Sequence, residues 1–148
     1  KSEKMDFTFT DKDGSKKPLY LASYGIGITR VMGVIAEMMS DEKGLMWHAS
    51  IAPFTVYLAT IGNVAGHADK LYDELNSAGI DVLYDDRDAR PGETFADADL
   101  MGIPFRLVIS ERTIAENQVE FKSRTEDESE LVAINDISHY IAQKISEK

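Results

Sequence analysis

The chain contains no cysteine, which excludes a disulfide framework and any zinc site built on thiolates. Histidine is sparse: His48, His67 and His139 are scattered without metal-ligand spacing and read as structural or surface residues, so no metal site is expected. Long apolar runs are also missing. No stretch approaches the roughly 18 residues a membrane span needs, and no charged-then-apolar leader is present, so a cytoplasmic protein without membrane contact is expected. Positive charge is scarce and unevenly placed. Residues 1–53 carry seven Lys/Arg and seven Asp/Glu, whereas residues 54–148 carry nine and nineteen, which accounts for the whole net charge of −10. So acidic a body repels a phosphate backbone on average, and non-specific nucleic-acid binding by counterion release is a poor fit. Any RNA contact must be local. Six of the nine downstream cations, namely Arg87, Arg90, Arg106, Arg112, Lys122 and Arg124, fall between positions 87 and 124. They either form one basic face or are simply solvated.

What is present is enough apolar residue, 43% of 148, for one ordinary domain with its own core and a piece of a second. Residues 5–24 read as a hairpin, with Phe7 to Thr10 and Leu19 to Leu21 flanking the turn signal Asp11-Lys12-Asp13-Gly14-Ser15. Val31, Val34, Ile35, Met38 and Met39 then recur at helical spacing in a helix ending near Ser40, and their stripe needs a covering surface. Residues 41–53, with the lone Trp47, read as a connector. From Phe54 onward, β-rich runs alternate with helices. Strands are expected at 54–60, 80–84 and 105–110. Between them lie a helix with the stripe Ala68, Leu71, Tyr72 and Leu75, closed by Gly79, and a second running from Pro91 to an exit at Gly102. This alternation implies right-handed crossovers and a sheet covered on both faces. Residues 118–124 alternate as an edge strand, 125–130 turn, and 131–134 form a short strand. A last helix, capped at Asn135 or Asp136, is expected to bury Ile137, Ile141 and Ile145. The fold class is thus α/β: a mixed, largely parallel sheet of about five strands flanked by helices, preceded by a β-hairpin and helix.

Two segments carry chemistry. Ser23-Tyr24-Gly25-Ile26-Gly27-Ile28-Thr29-Arg30 is a glycine-spaced turn into a helix, with Arg30 where dinucleotide-binding proteins place a third glycine. Glycines that let a ligand approach the backbone, followed by a permanently charged guanidinium, suit a nucleoside triphosphate; the alternative is a surface arginine covering its helix. The second segment runs from Asp85-Asp86-Arg87 through Arg90-Pro91-Gly92-Glu93-Thr94-Phe95-Ala96-Asp97-Ala98-Asp99 to Gly102-Ile103-Pro104. Phe95 and Asp99 lie four apart and share a helix face. A ring beside a carboxylate can stack on an unstacked base and accept from the two neighbouring donors of guanine's Watson–Crick edge; the alternative is a core phenylalanine and a solvated aspartate.

In this order, over nearly the whole chain, the two segments resemble the C-terminal part of a bacterial-type prolyl-tRNA synthetase: motif 3 of a class II catalytic domain over residues 1–50, then the anticodon-binding domain over 51–148. The resemblance implies that Gly25 and Gly27 floor the adenine and proline pockets and that Arg30 clamps the ATP phosphates. Many family members have Gly-Cys where this chain has Ala22-Ser23. It implies that Phe95, Asp99, Arg106 and Lys122 meet the anticodon of tRNA(Pro), which ends in two guanines; the family often has Glu at the position of Asp99. ATP and Mg²⁺ are implied for the full-length enzyme, with no cofactor for this chain by itself, and so is a homodimer. The other two class II motifs do not precede residue 21, so the chain is expected to be a piece lacking its catalytic partner, and inactive alone in proline activation. The threonyl, histidyl or glycyl anticodon-binding domain is the nearest alternative. A receiver-like module binding Mg²⁺ at Asp85 and Asp86 is the alternative from another class, against local pairing of those acids with Arg87 or Arg90.

Overall fold

The computed structural model describes residues 1–147. Its contacts divide the chain into two compact units, Lys1–Met32 and Gly33 onward. In the first, β1 (Thr8–Thr10) and β2 (Lys16–Pro18) form an antiparallel hairpin in the register Phe9↔Lys17. The second arm thus begins earlier than the apolar residues 19–21 suggested. The turn sets the register: Asp11 N–H bonds Ser15 O at 2.8 Å, and the Asp11 carboxylate meets the Lys17 ammonium. Only Leu19 continues the pairing, through its N–H to Phe7 O at 2.9 Å. Helix α1 (Ile28–Met38) follows, and none of its residues is buried.

In the second unit the expected connector contains a small antiparallel hairpin, β3 (Ser40–Asp41) with β4 (Gly44–Leu45). The main sheet is then built from β5 (Val56–Ile61), β6 (Val82–Tyr84), β7 (Phe105–Ser110), β8 (Gln118–Ser123) and β9 (Glu130–Ala133). Its order is β6-β5-β7-β8-β9. β5 pairs in parallel with β6 and β7, as crossovers through helices require. β7–β8 and β8–β9 are antiparallel. β8 is therefore an inner strand, not an edge: β9 covers its outer side.

Helices α2 (Ala65–Ser77) and α5 (Ile137–Ser146) supply Leu71, Leu75, Ile137 and Ile141 to one face of the sheet. They meet Val56, Leu58, Phe105, Leu107 and Phe121 in the main core. Ile145 does not join it; in the final turn of α5 it is 37% exposed. The expected cap on this helix is replaced by a 3₁₀ turn over Ile134–Asp136, and Asp136 makes no side-chain cap bond. On the opposite face α3 (Pro91–Met101) packs Ala98, Phe95 and Met101 against Tyr57, Ala59 and Val108. A short helix that periodicity could not reveal, α4 (Glu111–Ala115), is held by a reciprocal cap in which Thr113 N–H donates to Ser110 Oγ and Ser110 N–H to Thr113 Oγ1.

Cover on the α3 face is incomplete. Gln118, Glu120 and Lys122 alternate with the buried Val119, Phe121 and Ser123, so they point to the α3 side, yet they belong to neither core cluster. The expected cover on both faces thus holds over β5–β7 and gives way to a polar surface over β8, beside which β9 presents the half-exposed Leu131 opposite Glu120.

Candidate nucleic-acid interface

α3 begins where Pro91 occupies its first turn, after Arg90 in extended conformation, and ends at Gly102 with φ 71°. Only glycine fits there. A Cβ on Gly102 would lie 2.3 Å from the Leu45 carbonyl, apart from the cost of a left-handed backbone. These two stops fix the helix along the sheet and bring its Phe95–Asp99 face beside Arg106 on β7. The Arg106 guanidinium carbon lies 4.3 Å from the centre of the Phe95 ring. Arg106 Nη1 is 3.7 Å from Asp99 Oδ1. The arginine side chain is 12% exposed and that of Asp99 26%. Arg106 Nε is buried with no hydrogen-bond partner among the described residues, an uncommon state for a buried donor. Three of the four residues expected to meet RNA therefore form one cluster.

The fourth, Lys122, is the register partner of Arg106 on β8. Its ammonium donates to the Asp127 carbonyl at 3.0 Å. With Asp99 it lines a cavity of about 120 Å³ that Asp41, Lys43, Arg124 and Asp127 complete. Arg124 escaped the sequence reading as a site residue: it bonds the Asp99 carbonyl through Nε at 3.1 Å and Asp41 through both terminal nitrogens. Partners 83 residues apart leave no local signal.

Asp85 and Arg87 form a second polar cluster, below a cavity of about 420 Å³ that α3 lines with Asp97, Leu100 and Met101 rather than with Phe95 and Asp99. Arg87 Nε and Nη2 reach the two Asp85 oxygens at 2.8 Å each, and Nη2 also bonds Asp97 at 2.7 Å. The Tyr57 hydroxyl donates to Asp85. The Arg87 hydrogen bonds hold the Asp85 carboxyl well below the usual carboxylate range, assisted by Tyr57 and opposed by burial. Burial, and then the bond to Asp85, push the Tyr57 phenol upward. The exposed Asp86 takes no part, and for Asp85 this is the local pairing expected of the acid pair. It commits both Asp85 oxygens and ties the end of β6 to α3.

Gly25, Gly27 and Arg30 lie in the first unit, all exposed. Val31 N–H bonds Gly27 O at 2.9 Å, which places Gly27 and Arg30 in one helical turn. A Cβ on Gly25 would meet nothing within 4 Å, and one on Gly27 only the Arg30 Cβ at 3.5 Å. Nothing in the chain itself demands glycine at either position, and the space beside them is free for a ligand.

The fold is thus a mixed five-stranded α/β sheet on which a cation, a ring and a carboxylate converge beside one helix. Residues 55–144 match the anticodon binding domain family, and the chain belongs to it. The chain is 44% identical to the proline–tRNA ligases of Paraburkholderia phymatum and Burkholderia multivorans and 45% identical to that of Burkholderia cenocepacia. Each alignment covers 97% of this chain and 26% of the relative, so the chain spans about a quarter of the length of these curated relatives.

Proposed function

We propose that this chain is part of a proline–tRNA ligase, which activates proline with ATP and charges tRNA(Pro), and that its residues 51–148 recognise the anticodon. The observation that carries the reading is the convergence of Phe95, Asp99 and Arg106 on the half-open face of an otherwise acidic domain. Asp99 accepts from the N1–H and N2–H₂ donors of guanine, a neighbouring pair that no other base presents. Arg106, supported from below by the Phe95 ring, offers donors to guanine O6 and N7 or to phosphate, and its guanidinium is a surface on which a base stacks. Lys122 adds a charge at the same face.

Residues 1–50 are the end of the catalytic domain in this proposal. The open space at Gly25 and the exposed Arg30 fit an ATP site, in which Arg30 would hold phosphate oxygens and stabilise charge in the adenylation that ATP makes possible. Mg²⁺, dimer formation and a cytoplasmic location belong to the intact enzyme, and this chain alone does not activate proline. Among the described residues, no helix is long and apolar enough to cross a membrane.

The test is a binding titration at fixed salt against anticodon stem-loops. A loop ending in two guanines should bind tighter than one with either guanine replaced, by about 1–3 kcal/mol per lost bidentate contact. Asp99→Ala should erase most discrimination between guanine and adenine, whereas Arg106→Ala also weakens overall affinity if it touches phosphate. Equal affinity for all loops, unaffected by either substitution, would refute the reading.

A further inference from the structure

The small hairpin β3–β4 lies outside the family-matched residues 55–144, yet it is built into the end of α3. The carbonyls of a helix's last turn lack intrahelical partners, and Asp99 belongs to that turn. Its carbonyl takes the Gly102 N–H at 3.2 Å and the Arg124 Nε at 3.1 Å. Arg124 cannot drift, because its side chain is 5% exposed and its Nη1 and Nη2 grip Asp41 Oδ2 and Oδ1 at 2.9 and 2.6 Å. Asp41 is fixed in turn by the N–H groups of Lys43 and Gly44 at 2.8 and 3.0 Å, which close the hairpin.

Backbone contact completes the joint. A Cβ on Gly44 would fall 2.4 Å from Leu100 Cα and 2.7 Å from Asp99 O, and Trp47 N–H bonds Gly102 O at 3.1 Å. No side chain separates the hairpin from the turn that carries Asp99, so a shift of one moves the other. A recognition side chain must be held within about half an ångström of its productive position.

We propose that Asp41 and Arg124 are positioning residues of the anticodon-reading site: through the β3–β4 hairpin they fix Asp99 and thereby set its discrimination for guanine. The inference rests on the anticodon reading above. It also assigns Asp41 a second effect. Its carboxylate neutralises the Arg124 guanidinium, so removing that charge makes the potential at the RNA face more positive and favours phosphate without regard to sequence.

The experiment uses the full 148-residue chain with Asp41→Asn and Arg124→Lys, each alone and combined with Asp99→Ala. Stem-loops carry guanine or adenine at the last two anticodon positions, and circular dichroism verifies folding. Asp41→Asn should reduce the guanine-to-adenine affinity ratio about three- to tenfold, as expected for coupled neighbours, while binding to the adenine loop stays level or tightens. In the Asp99→Ala background it should leave the ratio unchanged. A purely structural role would instead weaken both loops together. Any variant that does not stay folded is replaced by Asp41→Glu, which keeps the charge but displaces the bidentate pair. A wild-type chain that binds both loops equally refutes the anticodon reading itself. A wild type that prefers guanine while a folded Asp41→Asn chain keeps the full preference, or loses it equally without Asp99, overturns only the positioning role.

Discussion

Replacing Asp85 by alanine removes the acceptor at the junction of β6, β5 and α3, and its consequences can be worked out group by group. Tyr57 is 1% exposed, and Asp85 is the partner its hydroxyl donates to. Without it the hydroxyl proton is buried with no acceptor, at a cost of about 1–3 kcal/mol, while Arg87 still lies beside the phenol oxygen. Arg87 is not stranded, since its side chain is 52% exposed and retains Asp97. The expected loss for Asp85→Ala is therefore about 2–3 kcal/mol, a fall of roughly 10 °C in Tm for a chain of this size. Tyr57→Phe alone should cost only about 1 kcal/mol, because Arg87 continues to satisfy the carboxylate. The double variant should lose less than the sum of the two, by about 1 kcal/mol or more, because the phenylalanine leaves no hydroxyl to orphan. Urea unfolding of the wild type and the three variants, followed by far-ultraviolet circular dichroism, closes the cycle. Strict additivity would refute the claim that the buried hydroxyl dominates the cost.

The same carboxylate makes stability depend on acid. Since the folded chain holds Asp85 below its ordinary titration range, its contribution is complete above the unfolded-state value near pH 4 and is lost as pH falls toward the folded-state value. The advantage of wild type over Asp85→Asn in urea midpoint should thus be larger at pH 7 than at pH 3; an advantage that grows in acid would contradict the pairing. Two glycines separate backbone cost from contact. Gly79→Ala, at φ 78° with nothing within 4 Å of the new methyl, should cost about 1–2 kcal/mol. Gly102→Ala, at φ 71° but 2.3 Å from Leu45, should cost clearly more, and equal losses in thermal melts would mean that the hairpin does not press on α3.

The elements that sequence revealed best are those whose signals are local. α3 is bounded by Pro91 and Gly102, whose backbone preferences act within one turn, and β8 is visible because Val119, Phe121 and Ser123 alternate with residues that stay outside the core. Local signals fail where pairing depends on docking. The arms of the β3–β4 hairpin are two residues each, too short for any periodicity, and their conformation rests on α3 behind them. The inner position of β8 is likewise a property of the sheet, set only when β9 returns beside it. At the candidate site, the spacing of Phe95 and Asp99 showed that they share a face. That Arg106 lies over the ring and that Arg124 holds the helix end are cross-strand and long-range facts with no trace in spacing, and the family resemblance pointed only to the first of these arginines.

The strand order leaves the sheet with two free edges, and each is guarded in the same way. β6 offers three residues and is followed closely by the exposed Asp86; β9 offers four, begins at Glu130, and follows a loop bearing Glu126, Asp127 and Glu128. A second copy adding its own strand at either edge would bring carboxylates against carboxylates on a ladder too short to offset their repulsion. The acidic surplus, unhelpful for holding a phosphate backbone, thus keeps open β-edges from templating fibrous assembly.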